Sequence, residues 1–338
     1  MKKVLVTGGT GYIGSHTAIE LIEQGFEPVL IDNLSNSRTE RLDQIEKITG
    51  KRPHFEQIEM CDGTALHDFF KHNKDIEAVI HFAAVLQVGD SVEQPLFYYR
   101  NNLLSTLNLL DNMVAFGIKP IVFSSSCTVY GNPDSLPVNE NAPIKEAISP
   151  YGNTKKMGED ILRDTSKATP VQVISLRYFN PIGNHLSAEI GEEPHGIPTH
   201  LVPYLTQTAR GIRSHLNIFG NDYATHDGTC VRDYLHVVDL AKAHIAAIKR
   251  QLEGRHESDF EVFNIGTGIG YSVLDMVKAF EKATGLPVPY QIAPRRPGDV
   301  EAVYADTRLA HEKLGWKAEL GLEDMFRSAW DWELKLEH

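Results

Sequence analysis

Short apolar runs rich in β-branched residues alternate with longer amphipathic stretches through the first 180 residues. This rhythm is typical of βαβ units, in which helices cover both faces of a parallel sheet. It predicts strands at Val4–Thr7, Pro28–Ile31, Ala78–Phe82, Ile121–Ser124 and Val171–Arg177. It predicts helices at Ile13–Gln24, Asp43–Ile48, Thr64–Lys71, Asn101–Phe116 and Pro150–Thr165. We therefore expect an α/β fold with a Rossmann-type doubly wound parallel sheet, whose ligands gather at the carboxyl ends of the strands.

The composition of the sequence changes after Phe179, where proline, glycine and histidine recur at shorter intervals. We expect residues 1–180 to form the Rossmann domain and residues 181–338 to form a smaller α+β substrate domain. Two later segments, Tyr234–Val237 and Glu261–Ile265, again look like buried strands and are candidates to return to the first sheet.

Composition narrows the class of protein. The chain has 338 residues, 42% hydrophobic and 23% charged, so it can bury a large core without a metal or a disulfide. The cysteines, Cys61, Cys127 and Cys230, lie too far apart for a zinc ribbon, and we expect no metal site and a reducing, cytoplasmic location. The net charge of −12 argues against nucleic acid or an anionic membrane as a partner. The apolar run Val4–Val6 is too short for an export signal, and no run approaches the ~18 apolar residues that span a bilayer.

A glycine-rich turn lies between the first predicted strand and the first predicted helix. Gly8, Gly11 and Gly14 have the GxxGxxG spacing, and Gly9 with the last two also satisfies GxGxxG. Glycines there allow positive φ and close approach of a pyrophosphate, and the helix N-terminus supplies N–H groups. Asp32 ends the next predicted strand, where a carboxylate binds the adenosine ribose and repels a 2′-phosphate. The combination predicts NAD rather than NADP, and the alternative is a plain strand-to-helix turn.

Tyr151 and Lys155 lie four residues apart at a predicted helix start, with Ser149 as N-cap and Pro150 at the first helical position. Ionising a phenol of pKa near 10 at pH 7 costs about 4 kcal/mol, and both Lys155 and an oxidised nicotinamide are cations that lower this cost. Ser126 follows a predicted strand and can hydrogen-bond a reacting oxygen. Considered alone, Tyr151 and Lys155 could be an ordinary surface pair, and Ser126 could be an ordinary capping residue of a loop. Together the residues predict a site where a substrate hydroxyl meets a nicotinamide.

These features resemble the extended short-chain dehydrogenase/reductase superfamily and, within it, the UDP-glucose 4-epimerase family. The narrower resemblance rests on blocks along nearly the whole chain, at residues 4–15, 32–37, 124–131, 177–181, 218–223, 227–229, 232–234, 264–266 and 295–299. It implies that tightly bound NAD oxidises and re-reduces sugar carbon 4, so that UDP-glucose and UDP-galactose interconvert without net redox. It also implies that Tyr151 takes the 4-hydroxyl proton, Ser126 hydrogen-bonds the 4-oxygen and Lys155 holds the nicotinamide ribose.

The resemblance further implies which residues meet each ligand. Cofactor contacts are expected at Gly8, Gly11, Tyr12, Ile13, Gly14, Asp32, Asn33, Asn36, Glu59, Met60, Phe82, Asn101, Ser124, Tyr151, Lys155 and Phe179. Nucleotide-sugar contacts are expected at Ser126, Tyr151, Asn180, His200, Leu201, Phe219, Arg232, Tyr234, Arg296, Asp299 and Val303. Arg232 and Arg296 offer the forked donors that suit a pyrophosphate, and the alternative is solvated surface arginines.

Four positions depart from the family pattern. Leu86 stands where relatives usually carry a lysine close to the cofactor, so phenolate stabilisation depends more on Lys155. Glu59 replaces an aspartate near the adenine, and His200 replaces a common asparagine. Val303 occupies a position where some relatives have a bulky tyrosine, so activity on UDP-N-acetylglucosamine and UDP-N-acetylgalactosamine is a hypothesis.

Other functions use the same scaffold. A 4,6-dehydratase needs an acidic pair in the serine loop, where this chain has Cys127 and Thr128. A uronate epimerase, a net oxidoreductase and a non-enzymatic NAD-sensing protein are further alternatives. By analogy with relatives, we expect a UDP-sugar as partner and a homodimer that pairs the helices Asn101–Phe116 and Pro150–Thr165.

Overall fold

The computed structural model describes residues 1–193, 196–296 and 299–337. The first part contains β1 (Lys3–Thr7), α1 (Tyr12–Glu23), β2 (Glu27–Asp32), α2 (Glu40–Thr49), β3 (His54–Gln57), α3 (Gly63–His72), β4 (Ile76–His81), α4 (Val88–Glu93), α5 (Pro95–Phe116), β5 (Pro120–Ser126), α6 (Pro150–Ala168) and β6 (Gln172–Tyr178). The second part contains β7 (Asn180–Ile182), α7 (Leu201–Ala209), β8 (Leu216–Phe219), β9 (Val231–His236), α8 (Val237–Leu252), β10 (Phe260–Ile265), β11 (Gly270–Ser272), α9 (Val273–Thr284), β12 (Tyr290–Ala293), β13 (Ala302–Val303) and α10 (Leu322–Glu333). A 3₁₀ turn (Cys127–Tyr130) follows β5, and a π-helical turn (Ala310–Leu314) precedes α10. The predicted α/β fold is confirmed.

A seven-stranded parallel sheet, in the order β10-β6-β5-β4-β1-β2-β3, organises the core. Its central strands are covered on both faces. In β1, Val4 and Val6 pack with the residues of α1 and α8, whereas Leu5 packs with those of α3, α5 and α6. Strands covered in this way read as continuous apolar runs, which is why the sequence pattern located them.

The two later candidate strands behave differently. Glu261–Ile265 returns to the first sheet as predicted, because β10 pairs in parallel with β6. The same prediction for Tyr234–Val237 is wrong, because β9 pairs with β7, β11 and β13 in a separate sheet and Val237 begins α8. An apolar run signals burial but does not encode which strand will be its neighbour. Since α8 packs against α1, the chain beyond residue 181 contributes to both parts, and the boundary at residue 180 stays a prediction.

Before β6, two short elements escaped the sequence pattern. β3 lies at the edge of the sheet, and its residues are exposed or half-buried, so it has no apolar run to reveal it. α4 has only six residues, too few to show a helical period. α5 begins at Pro95 rather than Asn101, since proline is tolerated at the first helical position. Among the described helices, none is long and apolar enough to cross a membrane.

The carboxyl ends of four neighbouring strands form the edge near which the predicted cofactor and catalytic residues lie. Thr7, Asp32, His81 and Ser126 are the last residues of β1, β2, β4 and β5. The chain runs from β1 outward through β2 and β3 and then crosses to β4 on the other side of β1. Ligands of open parallel sheets bind at this reversal of strand order, so the topology places the site there.

Candidate active site

The glycine turn closes tightly on itself and on the segment after β4. Gly8 has φ of +68°, and a Cβ on it would lie 2.9 Å from the backbone nitrogen of Ala83. A Cβ on Gly14 would lie 2.1 Å from the carbonyl oxygen of Gly8. Gly11 is the N-cap of α1, so no side chain caps the first N–H groups of that helix. The turn is therefore a cradle that requires glycine, and its donors fit the pyrophosphate of a dinucleotide.

Asp32 lies beside this cradle with its carboxylate held in place. It accepts hydrogen bonds from the N–H of Thr10 at 3.3 Å and of Leu34 at 2.9 Å. The hydroxyl of Ser37 donates to it at 3.0 Å. A buried, oriented carboxylate after the second strand is the acceptor that a ribose diol requires.

A second group of predicted cofactor residues gathers next to Asp32. Asn33 donates to Glu59 at 2.8 Å, and the N–H of Cys61 donates to the same carboxylate at 2.9 Å. Burial acts to raise the pKa of Glu59, but these bonds hold it below its ordinary value. The thiol of Cys61 lies 3.6 Å from the carbonyl oxygen of Asn101. Met60, which precedes Cys61, is buried in an apolar core cluster. Glu59, which replaces the usual aspartate, is therefore held in place by hydrogen bonds from Asn33 and Cys61.

Tyr151 and Lys155 project from one face of α6, as the sequence predicted. Ser149 caps the helix by accepting a hydrogen bond from the N–H of Gly152 at 3.1 Å. The ammonium of Lys155 donates to the carbonyl oxygen of Ser124 at 2.7 Å and lies 5.9 Å from the centre of the Tyr151 ring. The first turn of α6 is therefore tied to the end of β5.

The electrostatics of this pair differ from the simple expectation. Burial raises the pKa of Tyr151 well above its ordinary value, while a hydrogen bond with Ser126 acts to lower it. Burial lowers the pKa of Lys155 to about 8. The phenol is therefore protonated at neutral pH in the chain by itself, and a phenolate requires further positive charge in the cleft.

Opposite charges cluster in the second part of the chain, between β9 and the segment that follows β12. Asp299 accepts hydrogen bonds from Nε and Nη2 of Arg296 at 3.2 and 3.0 Å, and it lies 3.7 Å from Nη2 of Arg232. The guanidinium of Arg296 lies 5.6 Å from the centre of the Phe219 ring. These four residues come from three distant segments, and two guanidinium groups that share a carboxylate can also share a diphosphate.

Three more predicted substrate residues flank Arg232. Asn180 of β7 is paired with Tyr234 of β9, and Val303 of β13 is paired with Arg232 itself. Burial raises the pKa of Tyr234, so its hydroxyl is a donor at neutral pH. Val303 is buried in one apolar cluster with Phe179, a residue predicted on the cofactor side. The cluster therefore joins the two predicted binding regions.

His200 and Leu201 lie at the start of α7. His200 is the N-cap residue, and its Nδ1 lies 2.5 Å from a carboxylate oxygen of Glu192. The charge of Glu192 raises the pKa of His200, although burial and the charge of Arg296 act against it. The substituted histidine is therefore protonated over a wider pH range than a free one. Of the predicted 295–299 block, Pro297 and Gly298 lie outside the described residues.

Comparison with known proteins identifies both the scaffold and the reaction. The family model described as GDP-mannose 4,6 dehydratase matches residues 5–329. A UDP-glucose 4-epimerase from Mus musculus is 52% identical over 98% of this chain and 97% of that protein. The chain belongs to the UDP-glucose 4-epimerase family.

Solved structures of this epimerase family share the fold almost completely. The crystal structure of UDP-glucose-4-epimerase from Stenotrophomonas maltophila with bound NAD and formylated UDP-arabinopyranose has a TM-score of 0.95 and 45% identity, covering 99% of this chain and 98% of that one. The UDP-glucose 4-epimerase from Bifidobacterium longum in complex with NAD+ and UDP has a TM-score of 0.94 and 48% identity, covering 98% of each chain. The predicted family is confirmed. The dehydratase named by the family model would need carboxylic acids after Ser126, where this member has Cys127 and Thr128.

The remaining predicted cofactor residues of this epimerase-family member mostly make protein contacts. The hydroxyl of Tyr12 donates to the carbonyl oxygen of Gly183, and Ile13 packs against the core. The Phe82 ring lies 4.6 Å from the ring of His244, measured between centres. The hydroxyl of Ser124 bonds to that of Tyr178.

Two predicted positions lie open at the surface. Leu86, which departs from the epimerase family pattern, is 43% exposed. Asn36 is also exposed, in the loop after β2. Neither side chain is brought to the Tyr151–Lys155 pair by a contact that the structure describes.

Asn102, which sequence analysis missed, joins three elements of the site. Its amide donates to the carbonyl oxygen of Val85 and to the hydroxyl of Thr154, both at 3.0 Å, and its oxygen accepts from the N–H of Val85 at 2.9 Å. Thr154 in turn donates to the carbonyl oxygen of Tyr151 at 2.7 Å. The only signal in the sequence is an asparagine inside a helix, and its burial depends on the tertiary fold.

Proposed function

We propose that Tyr151, Lys155 and Ser126 carry out the reaction of this chain, which interconverts UDP-glucose and UDP-galactose by transient oxidation of sugar carbon 4. NAD is the cofactor of this reaction. The observation that supports the assignment most strongly is the placement of α6 on the end of β5. Lys155 donates to the carbonyl oxygen of Ser124 at 2.7 Å, and the hydroxyl of Ser126 acts to lower the pKa of the Tyr151 phenol, at the edge where the glycine turn and Asp32 also lie.

The cradle at the start of α1 fits the dinucleotide. Gly8, Gly11 and Gly14 would hold the pyrophosphate against the helix N-terminus, and Asp32 would accept hydrogen bonds from the adenosine ribose. Asn33, Glu59, Met60 and Asn101 would line the adenosine end, with Tyr12, Ile13, Asn36, Phe82, Ser124 and Phe179 as further contacts. When bound, oxidised NAD supplies a reversible acceptor for the hydride of carbon 4 and a positive charge.

Tyr151 moves the proton of the 4-hydroxyl. As a phenolate it takes this proton when carbon 4 is oxidised, and it returns the proton to the 4-oxygen when carbon 4 is reduced on its other face. Burial opposes the phenolate, and the hydrogen bond from Ser126 acts against this effect. The ammonium of Lys155, 5.9 Å from the centre of the ring, and the positive charge of oxidised NAD would stabilise it further. Ser126 also hydrogen-bonds the 4-oxygen of the sugar.

Residues of the second part hold the UDP group while the hexose turns between its two orientations. Arg232 and Arg296 bind the diphosphate in place of Asp299, and His200 adds a third positive charge. The remaining contacts to the nucleotide-sugar come from Asn180, Leu201, Phe219, Tyr234 and Asp299.

A second substrate pair is favoured by Val303. Val303 lies opposite Arg232 on β13 and is buried in the apolar cluster that contains Phe179. Its side chain is smaller than the tyrosine that some relatives carry at this position, which favours acceptance of an N-acetyl group on the sugar. The chain therefore also interconverts UDP-N-acetylglucosamine and UDP-N-acetylgalactosamine. The test is Val303→Tyr, which should abolish turnover of the N-acetylated sugars and spare that of UDP-galactose, and equal turnover of both by the variant would reject the role.

The chain forms a homodimer through α5 and α6. α5 exposes Phe97, Leu104, Leu107 and Val114 on one side, and α6 exposes Met157. The two helices pack against each other, so these residues form one apolar surface suited to a second copy. Light scattering should give the mass of a dimer, and Leu107→Glu should give the mass of a monomer.

The location is a reducing, cytoplasmic one. Cys61, Cys127 and Cys230 are all free thiols. Burial raises the pKa of each, so they are poor thiolate nucleophiles. Unpaired cysteines, of which Cys230 is buried and Cys61 and Cys127 are half-buried, suit a compartment that keeps thiols reduced.

The deciding experiment uses purified protein and UDP-galactose without added NAD. Formation of UDP-glucose, together with NAD released from the denatured protein, supports the assignment. Protein that contains NAD but gives no UDP-glucose would reject it.

A further inference from the structure

Tyr151, Lys155 and Glu159 are spaced by four residues and lie in one row along α6. The first two meet the serine loop, at Ser126 and at the carbonyl oxygen of Ser124. The third, Glu159, continues the row by one turn and is only 2% exposed. The proposed mechanism assigns no role to the buried carboxylate of Glu159.

Glu159 is held by four hydrogen bonds from two strands. Its Oε1 accepts from the hydroxyl of Ser125 at 2.6 Å, the hydroxyl of Ser175 at 2.9 Å and Nε of Arg177 at 2.9 Å. Its Oε2 accepts from Nη2 of Arg177 at 2.5 Å. Ser125 belongs to β5, whereas Ser175 and Arg177 belong to β6, so one carboxylate joins α6 to both strands.

The same network reaches the other end of the serine loop. Nη1 of Arg177 donates to the hydroxyl of Tyr130 at 3.0 Å, and this hydroxyl donates to Asn264 at 2.7 Å. Tyr130 ends the 3₁₀ turn that follows Ser126. The loop is therefore fixed both before Ser126, through Ser125, and after it, through Tyr130.

Close packing leaves α6 no room to move toward β5. A Cβ on Gly158 would lie 2.8 Å from Cζ of Phe123, so the helix and the strand are already in contact at this glycine. Packing of this kind sets the distance between two elements, but a helix can still slide along a strand. The hydrogen bonds of Glu159, together with that from Lys155 to Ser124, oppose this sliding.

We propose that Ser125 and Glu159 are positioning residues, because the hydrogen bond between them sets the register of the serine loop on α6 and thereby holds Ser126 against Tyr151. The inference rests on the proposed function, in which Ser126 and Tyr151 handle the 4-hydroxyl. The hydrogen bond with Ser126 acts to lower the pKa of Tyr151, so a looser loop should raise this pKa further.

Two serines provide a matched test. Ser125 and Ser175 are both fully buried and donate to the same oxygen of Glu159, but only Ser125 lies next to Ser126. We expect Ser125→Ala and Ser175→Ala to lower the melting temperature by similar amounts. Ser125→Ala should also lower kcat about tenfold, leave the KM for UDP-galactose unchanged and move the acid limb of the kcat–pH profile to higher pH. Ser175→Ala should keep the kcat and the pH profile of the wild type.

The comparison of the two alanine variants tests the positioning role directly. Equal kcat values and equal pH profiles for the two alanine variants would overturn the inference, whether both retain or both lose activity. A Tyr151→Phe variant measured in parallel separates this failure from that of the proposed function. If Tyr151→Phe loses turnover while Ser125→Ala behaves like Ser175→Ala, only the positioning role is rejected.

Discussion

The ammonium nitrogen of Lys155 lies 2.7 Å from the carbonyl oxygen of Ser124. The same nitrogen lies 5.9 Å from the centre of the Tyr151 ring, so the lysine ties α6 to β5 and also places a positive charge near the phenol. Burial lowers the pKa of Lys155 to about 8, which makes this charge dependent on pH in the physiological range. The relationship leads to measurable consequences for catalysis and for stability.

Replacing Tyr151 by phenylalanine should remove the proton carrier and leave the UDP site intact. We expect kcat to fall by about 10²–10⁴-fold, the usual contribution of a positioned acid or base. UDP affinity, measured by titration calorimetry, should stay within about twofold because Tyr151 does not touch the arginine cluster. Tyr290→Phe is a matched control, since Tyr290 is 49% exposed on β12. Near-normal kcat in the first variant would show that another group carries the proton.

The burial of Lys155 should make stability depend on pH. The pKa of Lys155 falls from 10.5 to about 8 on folding, so between these values the unfolded chain binds more protons and stability rises with pH. Relative to Lys155→Met, the NAD-free wild type should gain about 3 kcal/mol of unfolding free energy between pH 8 and 10.5. Urea unfolding at a series of pH values measures this difference. A difference that does not change with pH would contradict the buried ammonium.

Asp32→Asn should weaken NAD retention and reduce the discrimination against NADP. The amide keeps one acceptor oxygen for the N–H of Leu34 and the hydroxyl of Ser37, but its NH2 group cannot accept from the N–H of Thr10. It also loses the negative charge that repels a 2′-phosphate. Dissociation constants for both dinucleotides, measured on protein stripped of cofactor, report the ratio. Asp43→Asn on the exposed side of α2 is the control. An unchanged ratio in the first variant would remove Asp32 from the cofactor site.

His200 should make UDP binding depend on pH. The charge of Glu192 raises the pKa of His200 above its ordinary 6.5, so the imidazolium is present at lower pH and is lost as pH rises through that raised value. We expect the affinity for UDP to fall across this range in the wild type. His200→Asn should have a weaker affinity at pH 6 and a flatter profile, and the two proteins should converge at alkaline pH. Parallel profiles for the two proteins would exclude the histidine from phosphate binding.

Local sequence information was sufficient to locate the helices and strands with a clear pattern of hydrophobic residues. β1, α1, β2 and β5 were located because both faces of the sheet are covered, and the glycine turn and Asp32 follow from their positions after β1 and β2. The spacing of Tyr151 and Lys155 needed only the geometry of a helix. β3 was missed because an exposed edge strand carries no apolar run.

The tertiary structure alone decided which distant residues share a site. The pairing of β9 outside the main sheet, the sharing of Asp299 by Arg232 and Arg296, and the bonds from Ser125 and Arg177 to Glu159 all join segments far apart in the chain. The physical reason is that the hydrophobic pattern of a segment shows which of its own residues are buried, but not which other segment buries them. Partner choice depends on strand order and on the packing of the whole core, which no local window of sequence contains.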